Sequence, residues 1–171
     1  MSWIVVDCEC DGQCPGLFSM VSFGAVVVDA KLDKTFYGEL RPLEGAGFNE
    51  ESLKVSGHSH EQTLLFPHPM ETMKKFDEWI ALNSKPRHMF ISDNNGFDWQ
   101  FINYYFHCFI GRNPFGHSST NLGSLFKGMK KDLRANFKFL RETKHNHHPV
   151  CDAMSNAEAF FKMVNDYGLR L

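Results

Sequence analysis

Two acids, Asp7 and Glu9, stand at the end of the run Trp3-Ile-Val-Val-Asp7, which is apolar and largely β-branched up to the first of them. Such a run reads as a buried strand. The two-residue period of a strand places both carboxylates on one face of the sheet and turns Cys8 to the other face, as a small buried apolar residue. Neighbouring carboxylates repel each other unless a cation lies between them. Acids also seldom sit at a buried strand end without a partner. Their oxygens suit a hard divalent ion such as Mg²⁺ or Mn²⁺, while a solvated or salt-bridged edge pair is the purely structural alternative.

The rest of the chain is organised around that strand. Asp11 to Gly16 is a turn-rich loop, Phe18 to Val28 a second strand, Asp29 to Asp33 a turn and Thr35 to Leu40 a third strand. Short turns cannot make parallel crossovers, so these three strands are expected to form an antiparallel meander. Asn49 to Leu53 can begin a short helix that Gly57, His58 and Ser59 break, and His58 and His60 read as surface residues. Apolar residues at helical spacing from Met70 to Leu82 predict a helix ended by Pro86. A fourth strand covers His88 to Ser92, then a loop Asp93 to Gly96 leads into an aromatic helix from Phe97 to Phe109. A further apolar stripe at helical spacing runs from Leu125 to Leu140, Lys144 to His148 is a histidine-rich loop, and Ala153 to Tyr167 is a last helix stopped by Gly168. Strands followed by alternating helix and strand predict an α/β fold with a mixed central sheet flanked by helices, in a single domain spanning residues 1–171.

Composition narrows the function classes. With 43% hydrophobic and 22% charged residues, the chain is neither disordered nor fibrous. No apolar run reaches the length of a membrane span, and the start has no basic segment and reaches an acid at position seven, unlike a secretory leader. Five cysteines, an odd number, read as free thiols in a reducing, cytoplasmic setting rather than as a disulfide framework, and Cys8, Cys10 and Cys14 lack zinc-site spacing. The net charge is −2, so any grip on nucleic acid must be local. One such patch exists: between Lys127 and Lys144 seven basic residues face only two acids. That segment can track a phosphate backbone, or can be a solvated helix face.

Two further acids lie where chemistry is possible. Asp98 falls in the first turn of the aromatic helix, where an acid also serves as a cap. Asp152 opens the last helix, with His147 five residues before it and Pro149 stiffening the approach. Histidine changes charge near neutral pH and can take a proton from a metal-bound water. His145 and His148 compete with His147 for that role, and Cys151, among acids, is expected to be inert.

Taken together, Asp7-x-Glu9, Asp98 within Asn95-Gly-Phe-Asp98, and His147-x4-Asp152 resemble the DEDDh, or DnaQ-like, 3′–5′ exonuclease superfamily with its ribonuclease H-like fold. The matching segments are 3–12, 22–29, 92–101 and 147–153, so the resemblance spans nearly the whole chain, and it is strongest to the small bacterial and phage branch of RNase AS-type exoribonucleases. The resemblance implies that Asp7, Glu9, Asp98 and Asp152 hold two divalent metal ions, Mg²⁺ or Mn²⁺, with His147 as general base. It implies hydrolysis at the 3′ end of single-stranded RNA or DNA with release of nucleoside 5′-monophosphates, and it tips the expectation toward RNA. Relatives are often homodimers. A catalytically inactive nucleic-acid-binding module of the same fold is the alternative.

Substrate contacts are expected from Cys10, Asp11, Gly12 and Asn95, with Phe18, Met20, Phe97 and Trp99 as candidates for stacking on terminal bases. Asp11 departs from the family pattern, in which many relatives carry threonine. A carboxylate there could accept a hydrogen bond from a sugar hydroxyl.

Overall fold

The computed structural model describes residues 1–171. Its centre is one five-stranded sheet in the order β3-β2-β1-β4-β5. β1 (Ser2–Cys10), β2 (Met20–Val27) and β3 (Thr35–Glu39) form the expected antiparallel meander. β4 (His88–Ser92) runs parallel to β1, and β5 (Ser119–Asn121) parallel to β4. The helices are α1 (Glu50–Ser56), α2 (His60–Thr63), α3 (Pro69–Asn83), α4 (Asn95–Ile110), α5 (Leu122–Lys130) and α6 (Pro149–Asn165).

Alternation along β1 sorts the two faces of the sheet. Ile4, Val6, Cys8 and Cys10 join Met73 and Phe76 of α3 and Phe101 and Tyr105 of α4 in the larger core. Val5 faces the other way, onto Ala153, Ala157 and Phe160 of α6 and Phe126 of α5, and Trp3 lies against Phe160 with ring centroids 5.1 Å apart. Asp7 and Glu9 continue this second row, as the two-residue period requires. Cys8 is 6% exposed on the opposite face, and all five cysteines are free thiols.

Gly24 sets how closely α6 approaches. It pairs with Asp7 across β1 and β2, and a Cβ at that position would overlap the backbone at Pro149 and Val150. The missing side chain lets the first turn of α6 lie directly on the sheet, bringing Asp152 to the strand end that carries Asp7 and Glu9.

Three sequence expectations need correction. The stripe from Leu125 to Leu140 is not one helix: α5 stops at Lys131, whose φ of 52° is left-handed, and a short 3-10 turn follows at Lys138–Leu140. Leu133, inside that stripe, is 86% exposed. β5 was not expected, because Ser-Thr-Asn has no apolar alternation; its place comes from pairing with Phe90, Ile91 and Ser92. His58 and His60 are half-buried rather than exposed, and the His60 ring stacks on Phe48 at 3.9 Å. No helix is long and apolar enough to cross a membrane.

Candidate active site

The strand end gathers the expected acids. One carboxylate oxygen from each of Asp7, Glu9 and Asp152 lies within 4.8 Å of the others. Asp98, 3% exposed, joins from the first turn of α4: its Oδ1 accepts the Cys8 backbone N–H at 3.1 Å, and its Oδ2 is buried without a partner. That bond ties α4 to β1 next to Asp7 and Glu9.

Burial and mutual repulsion govern these groups. Burial, followed by the Asp98 and Glu9 charges, holds the Asp7 carboxyl well above its ordinary range. Burial again leads for Glu9, raised to about 8 with help from Asp152 and Asp98, and for Asp98, raised to about 7. Crowded carboxylates without cationic neighbours resist ionisation. The orphaned Asp98 oxygen and this repulsion are what a hard, multiply charged cation would relieve, so the donor set fits divalent metal ions.

Asp152 is fully buried and organises the histidine loop. Its Oδ1 accepts the Asn146 N–H at 3.0 Å and its Oδ2 the His147 N–H at 3.1 Å. His147 adopts a left-handed φ of 60° to make that bond, a local cost of the kind stored at functional sites. Its ring stays in solvent, 54% exposed, with Nδ1 4.0 Å from Glu9 Oε1. His145 Nδ1 lies 3.0 Å from Asp152 Oδ1, and His148 stacks on Tyr37 at 5.3 Å. Of the three histidines, His147 alone reaches toward Glu9, while His145 shares the Asp152 carboxylate.

The expected substrate contacts divide. Phe97 lines a cleft of about 590 Å³ beside Glu9, whose walls include Gly12, Gln13, Ser52, Val55 and Gln100. Gly12 receives the Phe18 ring, which fills the space a Cβ would need. Cys10 borders the same cleft, 5% exposed with its thiol toward the α3–α4 core, and Met20 is fully buried, so its side chain is not free to stack on a base. Trp99 packs edge-on against Phe90 at 5.0 Å, and Asn95 donates to Ser119 Oγ at 2.9 Å, fastening α4 to β5. Asp11 is fully buried: Oδ1 accepts the Ser19 N–H, and burial lifts its carboxyl to about 6. Through Oδ1 it braces the loop after β1, while its Oδ2 is buried without a partner.

The sequence reading missed the outer wall of the cleft. Ser52 and Val55 arrive on α1, which Asn49 caps by accepting the Ser52 N–H at 3.0 Å. Gln100 Nε2 donates to the Gln13 carbonyl at 3.0 Å, closing the loop onto α4. The short helix was legible from the Asn-Glu-Glu-Ser start; its packing across the strand end was not, because that depends on contacts far apart in the chain.

Comparison with known proteins agrees with this geometry. An RNase T-type exonuclease family model matches residues 4–160. A 3'-5' DNA exonuclease of Escherichia coli, Cap18, is 33% identical over 171 aligned residues, covering 92% of this chain and 89% of that protein. The fold matches the nuclease domain of 3'hExo, a DEDDh family member bound to rAMP, with a TM-score of 0.77 at 16% identity, covering 96% of this chain and 92% of that one. It also matches E. coli exonuclease I in complex with a dT13 oligonucleotide, with a TM-score of 0.72 at 13% identity, over 96% of this chain and 41% of that one.

Proposed function

Because the chain belongs to the DEDDh superfamily of 3′–5′ exonucleases, we propose that it trims single-stranded DNA from the 3′ end, releasing nucleoside 5′-monophosphates, as a single catalytic domain. The observation that carries this reading is the convergence of Asp7, Glu9 and Asp152 within 4.8 Å, with the unpartnered Asp98 oxygen beside them. Two divalent cations, Mg²⁺ or Mn²⁺, held by these four acids would supply the Lewis-acid stabilisation of attacking and leaving oxygens that phosphodiester hydrolysis needs.

The protein's own groups do the rest. His147 takes the proton of the attacking water, from a ring left in solvent while its backbone is pinned to Asp152. The cleft walled by Phe97, Val55 and Gln13 receives the terminal nucleoside.

DNA replaces the earlier expectation of RNA for two reasons. The E. coli relative is named a DNA exonuclease. Asp11, the residue that could have accepted a 2′-hydroxyl, is fully buried, with its Oδ1 taken by the Ser19 N–H. The test uses 5′-labelled DNA and RNA oligomers of one sequence, incubated with Mg²⁺, Mn²⁺ or EDTA. A metal-dependent ladder shortening from the 3′ end, faster on DNA and lost with His147→Ala, is expected. Faster trimming of RNA would overturn the sugar assignment, and no trimming of either would overturn the function.

A further inference from the structure

The break in the expected helix after α5 creates a second cleft on the far side of the Asp93-Asn94 loop. It encloses about 270 Å³ and is lined by Asp93, Lys127, Leu133, Arg134, Phe137 and Lys138, among others. Lys127 comes from α5, Arg134 from the turn after it and Lys138 from the 3-10 turn, so three cations from three pieces of chain meet around one hollow. On a continuous helix these positions, at i, i+7 and i+11, would share one face but be strung out along about 16 Å of its axis, so the break is what folds them around one hollow.

The cations stand on braced backbone. Lys131 closes α5 by donating to the Gly128 and Lys127 carbonyls, Asp132 Oδ1 accepts the Arg134 N–H at 2.9 Å, and Asn136 Oδ1 accepts the Lys138 N–H at 2.8 Å. The one acid in the cleft is already neutralised: Arg141, its side chain 10% exposed, holds Asp93 at 2.7 Å and Asn156 at 2.6 Å. Leu133, 86% exposed, lines the cleft with the cations, and Phe139, next to Lys138 in the chain, is 66% exposed with its ring edge-on to Phe126. Clustered cations with exposed apolar side chains among them suit a ligand that is both polyanionic and flat-faced, which describes a nucleic-acid strand.

Position along the strand follows from the loop between the clefts. Asn94 lines the cleft beside Glu9 and Asp93 lines the basic one, so a strand whose 3′ end lies in the first crosses the acids and reaches the second within a few nucleotides. We propose that Lys127, Arg134 and Lys138 form a subsite for the phosphates on the 5′ side of the scissile bond, with Leu133 offering an apolar contact to a base there. This rests on the exonuclease reading for the strand's direction. The subsite makes cleavage depend on strand length.

The test compares the intact protein with a Lys127→Gln/Arg134→Gln/Lys138→Gln variant and with a charge-keeping Lys127→Arg/Lys138→Arg variant, folding being checked by circular dichroism. Anisotropy of a labelled single-stranded dodecamer in EDTA reads binding without cleavage. The glutamine variant is expected to bind about tenfold more weakly at 0.1 M salt and to lose about 2 from the slope of log K against log salt, since each single-strand phosphate contact contributes about 0.7. The arginine variant keeps both values. With metal present, the ratio of kcat/KM on the dodecamer to that on a dinucleotide falls about tenfold in the glutamine variant. An unchanged affinity and salt slope would overturn the subsite and leave the exonuclease reading standing. Length-dependent binding without any cleavage would do the reverse.

Discussion

Replacing Glu9 by glutamine is expected to stabilise the metal-free protein increasingly as pH rises above about 5 and to leave it unchanged below that. Burial, then the charges of Asp152 and Asp98, raises the Glu9 carboxyl from 4.5 to about 8. Between those values the folded chain keeps a proton that the unfolded chain has released, so stability falls as pH rises through the window. Below it both states are protonated and the penalty is absent; above it both are ionised and the penalty is complete. One pH unit inside the window corresponds to about 1.4 kcal/mol, which caps the penalty at about 5 kcal/mol. Relaxation and water entry at a site open on one side reduce this to an expected ~2 kcal/mol. For a chain of this size that is a gain of about 5 °C in Tm. Thermal melts of both proteins in EDTA from pH 4 to 9 should therefore diverge steadily above pH 5, with Glu9→Gln melting higher. Excess Mg²⁺ or Mn²⁺ should reverse the order at pH 8, because a ligand at a hundredfold over Kd adds ~2.7 kcal/mol to the protein that binds it. Parallel curves for the two proteins across the window would refute the view that mutual repulsion of these acids strains the metal-free site.

Asp7→Asn should abolish cleavage and the metal-induced rise in Tm while the fold survives, as read by activity and melting on the same sample. Asp152→Asn should lose activity too but cost about 1–3 kcal/mol in denaturant unfolding, because the N–H groups of Asn146 and His147 share its two oxygens. His147→Ala should lower kcat by about 10²–10⁴ with the metal-induced Tm rise intact, since the ring acts on a proton and not on the metals. Gly24→Ala should destabilise by about 1–3 kcal/mol and also reduce activity, because the added methyl pushes α6 and Asp152 off the sheet; urea unfolding and initial rates check both.

Much of this molecule can be read from local pattern. Alternation in Trp3 to Glu9 gave the two faces of β1, and helical spacing found α3 and α4 to within a few residues. The acids were visible because polar residues at an apolar strand end are out of place. What escaped was set by contacts distant in sequence. Asp11 is indistinguishable from a ligand-facing acid until Ser19, eight residues away, is placed on its oxygen. Met20 read as free to stack until the core claimed it. The Leu125 to Leu140 stripe has helical spacing throughout, yet Lys131 turns left-handed and the basic cleft exists because of it.

The two-sided β1 also links folding quality to catalysis. Ile4, Val6, Cys8 and Cys10 alternate with Val5, Asp7 and Glu9, so a slip of one residue against β2 would exchange the two sets. The acids would then lie among Phe76, Phe101 and Tyr105, and two thiols would face α6. A molecule in that register would be both unstable and incapable of gathering four carboxylates. Nuclease activity per molecule therefore counts the correctly paired fraction of a preparation, and a mispaired chain carries no stray cleavage with it.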